Sequence, residues 1–171
     1  MTHTDAERRR LALQSSIIEP YTDRFLRDTG IAEGMHVLDL GCGVGGIALK
    51  AGHLVGSTGS VLGIDIDPAA LAIATVRASE HALPQVRFLQ ADLRSFRADK
   101  PFDAVTGRHI LVHTPDPLAL IRRAASFVHP GGIVAFQEFD LSFSCPCAPV
   151  VCSTPGFSRR VYLLLSAGSS M

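Results

Sequence analysis

"VLDLGCGVGG" fills residues 37–46, and its reading decides the fold. An apolar run broken only by Asp39 feeds a turn with glycine at 41, 43, 45 and 46. Glycines let a ligand approach the backbone, and the N–H groups opening the next helix suit a carboxylate or phosphate. Read literally, Gly41-Cys42-Gly43-Val44-Gly45-Gly46 satisfies G-x-G-x-x-G, the dinucleotide fingerprint. The acid at Asp39, just before the first glycine, points elsewhere. The turn by itself leaves the cofactor open.

Working outward, the chain alternates. "MHVLDL" (35–40), "SVLGIDI" (60–66), "VRFLQ" (86–90), "FDAVTG" (102–107) and "GIVAFQEF" (132–139) are short runs rich in Val, Ile and Leu, as buried parallel strands require. Between them, Gly46–Leu54, Pro68–His81 and Pro117–Val128 read as helices. Asp67 and Pro68 give the second its cap and first residue. The third carries Leu118, Ile121, Ala125 and Val128 on one stripe, and "HPGG" (129–132) is expected to stop it. This βαβ alternation predicts an α/β fold, a Rossmann-like doubly wound parallel sheet of strand order 3-2-1-4-5. The link between strands three and four is only residues 91–101. It must cross three strand spacings, about 14 Å, which that many residues can span at about 3.3 Å each. Ligands on such a sheet sit at the carboxyl ends of the strands, where the winding reverses.

Upstream, residues 5–28 read as two helical pieces parted by Pro20, with Leu11, Ile18, Tyr21 and Phe25 along one face. Gly30 ends them and Gly34 marks a second break. Downstream, residues 141–171 have three prolines, Cys145, Cys147 and Cys152, a Ser-rich end and no clean period. The chain thus divides into an N-terminal helical segment (1–33), a core (34–140) and an irregular tail (141–171). The C-P-C-x4-C spacing fits no zinc template, so no metal site is expected.

The 171 residues suit one domain, with 47% hydrophobic and 19% charged residues. Sixteen basic residues balance sixteen acidic ones, so no global field draws the protein to nucleic acid or an anionic membrane. No signal peptide or spanning helix is legible, which makes the cytoplasm the expected location.

Each strand end presents a cofactor contact. Asp65, 24 residues past Gly41, ends the second strand, where an acid can accept both ribose hydroxyls. Asp92 follows the third, where a carboxylate beside a backbone N–H can pair with an adenine edge. Singly, Asp65 reads equally as a helix-flanking residue and Asp92 as a cap. Together, at successive strand ends facing one crevice, they favour a nucleoside cofactor. His109 and His113 lie just past the fourth strand, where either could take a proton from an acceptor or simply pack the loop. Arg108 could steer an anionic acceptor, or pair with Asp103 or Asp116.

With these residues in place, "VLDLGCGVGG", "GIDIDPAAL", "QADL", "FDAVTGRHIL" and "HPGG" resemble the ordered motifs of class I S-adenosylmethionine-dependent methyltransferases. The likeness is to the small-molecule group that includes the ubiquinone/menaquinone C-methyltransferases, over about residues 34–140. It implies that Asp39 and the Gly41/Gly43 backbone hold the methionine portion of S-adenosylmethionine. Asp65 takes the ribose diol, Ile66 packs on adenine, and Asp92 with the Leu93 amide reads the adenine edge. Arg108 lines the site near the methionine amino group. The implied reaction is methyl transfer to a small-molecule acceptor by in-line displacement at the sulfonium methyl. No Asn/Asp-Pro-Pro-aromatic motif of base-amino methyltransferases occurs, and no GK[ST] follows the turn, which disfavours nucleic acid and excludes a P-loop.

The family pattern continues past the fifth strand with an antiparallel strand pair. Residues 141–171 are expected to lack that pair, as in a truncated chain, leaving the fifth strand an apolar edge that invites self-association. Two other readings follow: a cofactor-binding fragment without turnover, and an NAD-dependent oxidoreductase, which Asp39 disfavours.

Overall fold

The computed structural model describes residues 21–140 and two later strand segments, 150–152 and 160–167. Helix α1 occupies residues 21–28. It is followed by β1 (His36–Leu40), α2 (Gly46–Val55), β2 (Ser60–Asp65), α3 (Pro68–Glu80), β3 (Val86–Gln90) and β4 (Phe102–Arg108). A single 3-10 turn (Leu111–His113) and α4 (Pro117–Ser126) lead to β5 (Val128–Asp140), then β6 (Val150–Cys152) and β7 (Arg160–Ala167). The strands form one sheet in the order β3-β2-β1-β4-β5-β7-β6. The five expected strands pair in parallel in the expected order, with Asp39 opposite Gly63 on one side and Thr106 on the other.

Strand alternation divides the core in two. Val37, Ala104 and Ala135 face α1, α2 and α3, burying Phe25, Leu26, Ile47 and Ala78. Leu38, Val105 and Phe136 face the other way, onto Leu120 and Ala124 of α4. Both Asp-Pro dipeptides start helices. Asp67 accepts from the Ala69 N–H at 2.9 Å and Asp116 from the Ala119 N–H at 2.9 Å, with proline as the first helical residue each time.

Four expectations need correction. The C-terminal strand pair is present, not missing. β6 pairs antiparallel with β7, and β7 runs parallel to β5 from Ile133–Arg160 to Asp140–Ala167. The fifth strand is therefore not an exposed edge: its backbone donors and acceptors are met by "RRVYLLLSA", an apolar run that the prolines upstream of it do not interrupt. The expected irregularity of 141–171 does not hold for these two segments, and the rest of the tail lies outside the described residues. Next, "HPGG" does not stop α4. The helix ends at Ser126, where the Phe127 N–H turns back to the Ala124 carbonyl. Val128 already pairs with Phe102, and His129–Gly132 bulges out before Ile133 resumes the register opposite Ala104.

The helical stripes are also displaced. Leu118 is 55% exposed, and α4 buries Leu120, Ala124 and Ala125. In α1, Tyr21 is 60% exposed while Thr22, Phe25 and Leu26 are buried. Residues 5–20 lie outside the described residues. Among the described residues, no helix is long and apolar enough to cross a membrane.

Candidate functional site

The turn after β1 is built on left-handed backbone, with φ of +63° at Gly41, +51° at Gly43 and +83° at Gly45. A side chain at Gly41 would collide with Ile110, which packs directly over it. At Gly43 a Cβ would meet nothing within 4 Å, so the backbone there fronts open space. Gly45 caps α2 without any side-chain hydrogen bond. Asp65 shapes this cradle: its Oδ2 accepts from the Gly43 N–H at 2.8 Å and its Oδ1 from the Asp67 N–H at 3.0 Å. Each oxygen keeps further lone-pair capacity for a pair of hydroxyls.

Asp39 lies behind the turn, 1% exposed. Its Oδ1 accepts from the Thr106 hydroxyl at 3.4 Å, while Oδ2 is buried without a hydrogen-bond partner. Burial is the main force that pushes its carboxyl up to about 7. The Arg108 guanidinium, the Thr106 hydroxyl and the Ala48 N–H offset that in part, and the Asp65 carboxylate adds to it. Burial likewise raises the Cys42 thiol, so the thiol in the turn stays protonated.

Arg108 ends β4 on the same face as Asp39. Its Nη1 donates to the Thr22 hydroxyl at 3.4 Å and its Nη2 lies where a Gly46 side chain would point. Neither expected ion pair describes it. Asp103 sits at the far end of β4, where it accepts from the His36 N–H at 2.6 Å and meets His129 Nε2 at 3.0 Å, and Asp116 caps α4. Opposite Arg108 in β5 stands Gln137, fully buried; its Oε1 accepts from Thr22 at 2.8 Å and its Nε2 has no partner. Two buried polar atoms, an acceptor at Asp39 and a donor at Gln137, thus lie on one face without partners. Groups left so are costly unless something else meets them.

Farther along the crevice, Ile66 is 64% exposed beside Asp65, and the Ala91 N–H donates to the Asp65 carbonyl at 2.9 Å. That bond brings the segment carrying Asp92 and Leu93 alongside. Asp92 is not a helix cap. Its Oδ1 accepts from the Arg94 N–H at 2.8 Å and its carboxylate is gripped by the Arg94 guanidinium, which holds it down at about 2.

His109 has φ of +54°, unusual for a side chain of its size. Burial first, then the Arg108 charge and His113, push its imidazole down to about 4. His113 is exposed at the end of the 3-10 turn. Glu138, 3% exposed, holds this rim: its Oε1 accepts from the Ile110 and Leu111 N–H groups at 2.9 Å each. Sequence reading missed Thr22, Thr106, Ile110, Gln137 and Glu138. The one legible sign was "QE", two polar residues closing an otherwise apolar strand. Among the described residues no cluster of three or more metal-ligating side chains occurs.

A family model described as a methyltransferase domain matches residues 31–156. The chain is 37% identical over 111 residues to the ubiquinone biosynthesis O-methyltransferase of Albidiferax ferrireducens, covering 64% of this chain and 43% of that protein. It is 38% identical over 125 residues to the enzyme of the same name from Pseudomonas putida, covering 72% and 52%. The chain therefore spans about half the length of the curated relatives it matches. Coclaurine N-methyltransferase, solved with N-methylheliamine and SAH, superposes with a TM-score of 0.62 over 67% of this chain and 34% of that one, at 19% identity, a likeness of fold alone. Strand order, glycine turn and family match together make the chain a member of the methyltransferase domain family, with the Rossmann-like fold of the class I S-adenosylmethionine-dependent enzymes.

Proposed function

We propose that this chain binds S-adenosylmethionine at the carboxyl ends of β1, β2 and β3 and transfers its methyl group to a small-molecule acceptor. The observation that carries the reading is the buried, unpartnered Oδ2 of Asp39 beside a glycine turn whose backbone fronts open space at Gly43. An acceptor there suits the cationic amine of the methionine portion. Gly41 and Gly43 allow the ligand against the backbone, Asp65 takes the ribose diol, and exposed Ile66 covers one face of adenine. Asp92 and the Leu93 N–H read the adenine edge, with Asp92 offering the lone pairs that Arg94 leaves open. Arg108, beside Asp39, balances the charge of the pocket and is placed to meet the methionine carboxylate rather than its amine.

When bound, the cofactor supplies an already activated methyl group on a sulfonium. The chain's part is to hold that end fixed and exclude water while an acceptor is aligned, and proximity and orientation supply most of the acceleration. His109, kept neutral by burial, and His113 are the bases on the acceptor rim, available to an acidic acceptor and dispensable for a neutral one. We place the protein in the cytoplasm, acting on a diffusible substrate. The relatives carry the name O-methyltransferase, which makes hydroxylated small molecules the first acceptors to test. Label transfer from methyl-tritiated cofactor, scanned across phenols, amines and carbon acids, tests the reading. Transfer to one class supports it, and cofactor binding without transfer to any of them favours a binding fragment.

A further inference from the structure

Resting on that reading of the adenine edge, we propose that Arg123, on α4, is a positioning residue for base recognition. The segment that reads adenine belongs to the link between β3 and β4, which has no strand or α-helix of its own between Gln90 and Phe102. Something else must fix it. Within the segment, the Ser95 and Phe96 N–H groups turn back to the Asp92 carbonyl at 3.0 and 2.9 Å. From outside, Arg123 grips it twice: Nε donates to the Leu93 carbonyl and Nη2 to the Phe96 carbonyl. The guanidinium carbon lies 5.3 Å from the Phe127 ring centroid, and Phe96 meets that ring edge-on at 5.5 Å. The planar fork is thus held flat by an aromatic wall while it straddles the two carbonyls.

The consequence lies in the backbone. Holding the carbonyls of residues 93 and 96 fixes the peptide planes between them. The Leu93 N–H shares its peptide plane with the Asp92 carbonyl, which the Ser95 and Phe96 N–H groups hold, and only the φ and ψ of Leu93 separate that plane from the gripped Leu93 carbonyl. Its aim at the adenine ring nitrogen is therefore set from α4, by a residue that touches no cofactor atom. Lysine cannot replace the fork, because it is a single flexible point donor.

The test compares S-adenosylhomocysteine with S-inosylhomocysteine, in which the amino group becomes a carbonyl and the ring nitrogen a donor, so neither matches Asp92 or the Leu93 N–H. Affinities are measured by calorimetry for the full chain and for Asp92→Ala, Arg123→Ala and Arg123→Lys, each with its thermal midpoint. The expected result is that the wild-type chain prefers the adenosyl ligand. Arg123→Ala should lower that preference about three- to tenfold, the value of one aimed hydrogen bond, with the inosyl affinity nearly unchanged. Arg123→Lys should fall close to Arg123→Ala, and it carries the test should the alanine variant not fold. An equal loss for both ligands, leaving the ratio at its wild-type value, overturns the proposal and makes Arg123 merely structural. A wild-type chain that does not discriminate the two bases overturns the edge reading and this inference with it. Discrimination lost in Asp92→Ala but kept in both Arg123 variants overturns this inference alone.

Discussion

Three carboxylates mark the crevice, and their surroundings give them different chemistry. Asp92 is half-buried and committed to Arg94, whose guanidinium holds it down at about 2, so it is charged at any ordinary pH. Asp65 divides its oxygens between the Gly43 and Asp67 amides and is a pre-set acceptor. Asp39 is raised from 3.8 to about 7 by burial, against the pull of Arg108. Its folded pKa lies above its unfolded one, so its contribution to stability is full below about pH 4 and is lost as pH rises through about 7. A bound cation reverses that by favouring the ionised form. Affinity for S-adenosylhomocysteine should accordingly rise with pH up to about 7 and level off above it, with up to about one proton released at lower pH. Calorimetry in buffers of different ionisation enthalpy counts that proton, and Asp39→Asn should abolish both the release and the slope. The three acids are legible in the sequence because each is a polar residue where an apolar strand stops. The Thr22–Gln137 bond on the Asp39 face is not, since a contact across 115 positions leaves no local trace.

At the scale of elements, the rim after β4 depends on β5. Glu138 supplies the acceptor that the Ile110 and Leu111 N–H groups lack, and this seats Ile110 on Gly41 and Leu111 in the core. Burial raises the Glu138 carboxyl, and the three amides of Leu111, Ile110 and Val112 pull it back only partly. Glu138→Ala should destabilise the fold by about 1–3 kcal/mol, because it leaves buried donors unmet. Glu138→Gln, which keeps a carbonyl oxygen there, should cost less, and urea denaturation of both variants checks the order. Helix starts were readable because Asp-Pro acts within a few residues. The end of α4 was not, because pairing of Val128 with Phe102 competes with the helix and wins through contacts made on folding. Leu118 misled for the same reason: helical period gives a stripe but not which neighbour it faces.

Across the whole molecule, the sheet closes its β5 side with β7 and β6, which composition alone did not reveal. Prolines at 146, 149 and 155 argue against long strands, yet "RRVYLLLSA" follows them uninterrupted and pairs along eight residues of β5. Deleting residues 141–171 should therefore leave every proposed cofactor contact in place while exposing β5, lowering the thermal midpoint and promoting association. Light scattering with a melting curve reads both, and an unchanged monomer of unchanged midpoint would show that β7 adds nothing. The function proposed for the whole molecule depends on the cofactor site at the glycine turn. Its most direct test is calorimetric titration of the full chain with S-adenosylhomocysteine and, separately, NAD, repeated with Asp65→Ala. S-adenosylhomocysteine should bind, NAD should not, and the variant should lose about 1.5–3 kcal/mol of the binding free energy with its ribose contact. Binding of NAD in preference, or equal S-adenosylhomocysteine affinity in wild type and Asp65→Ala, would contradict it.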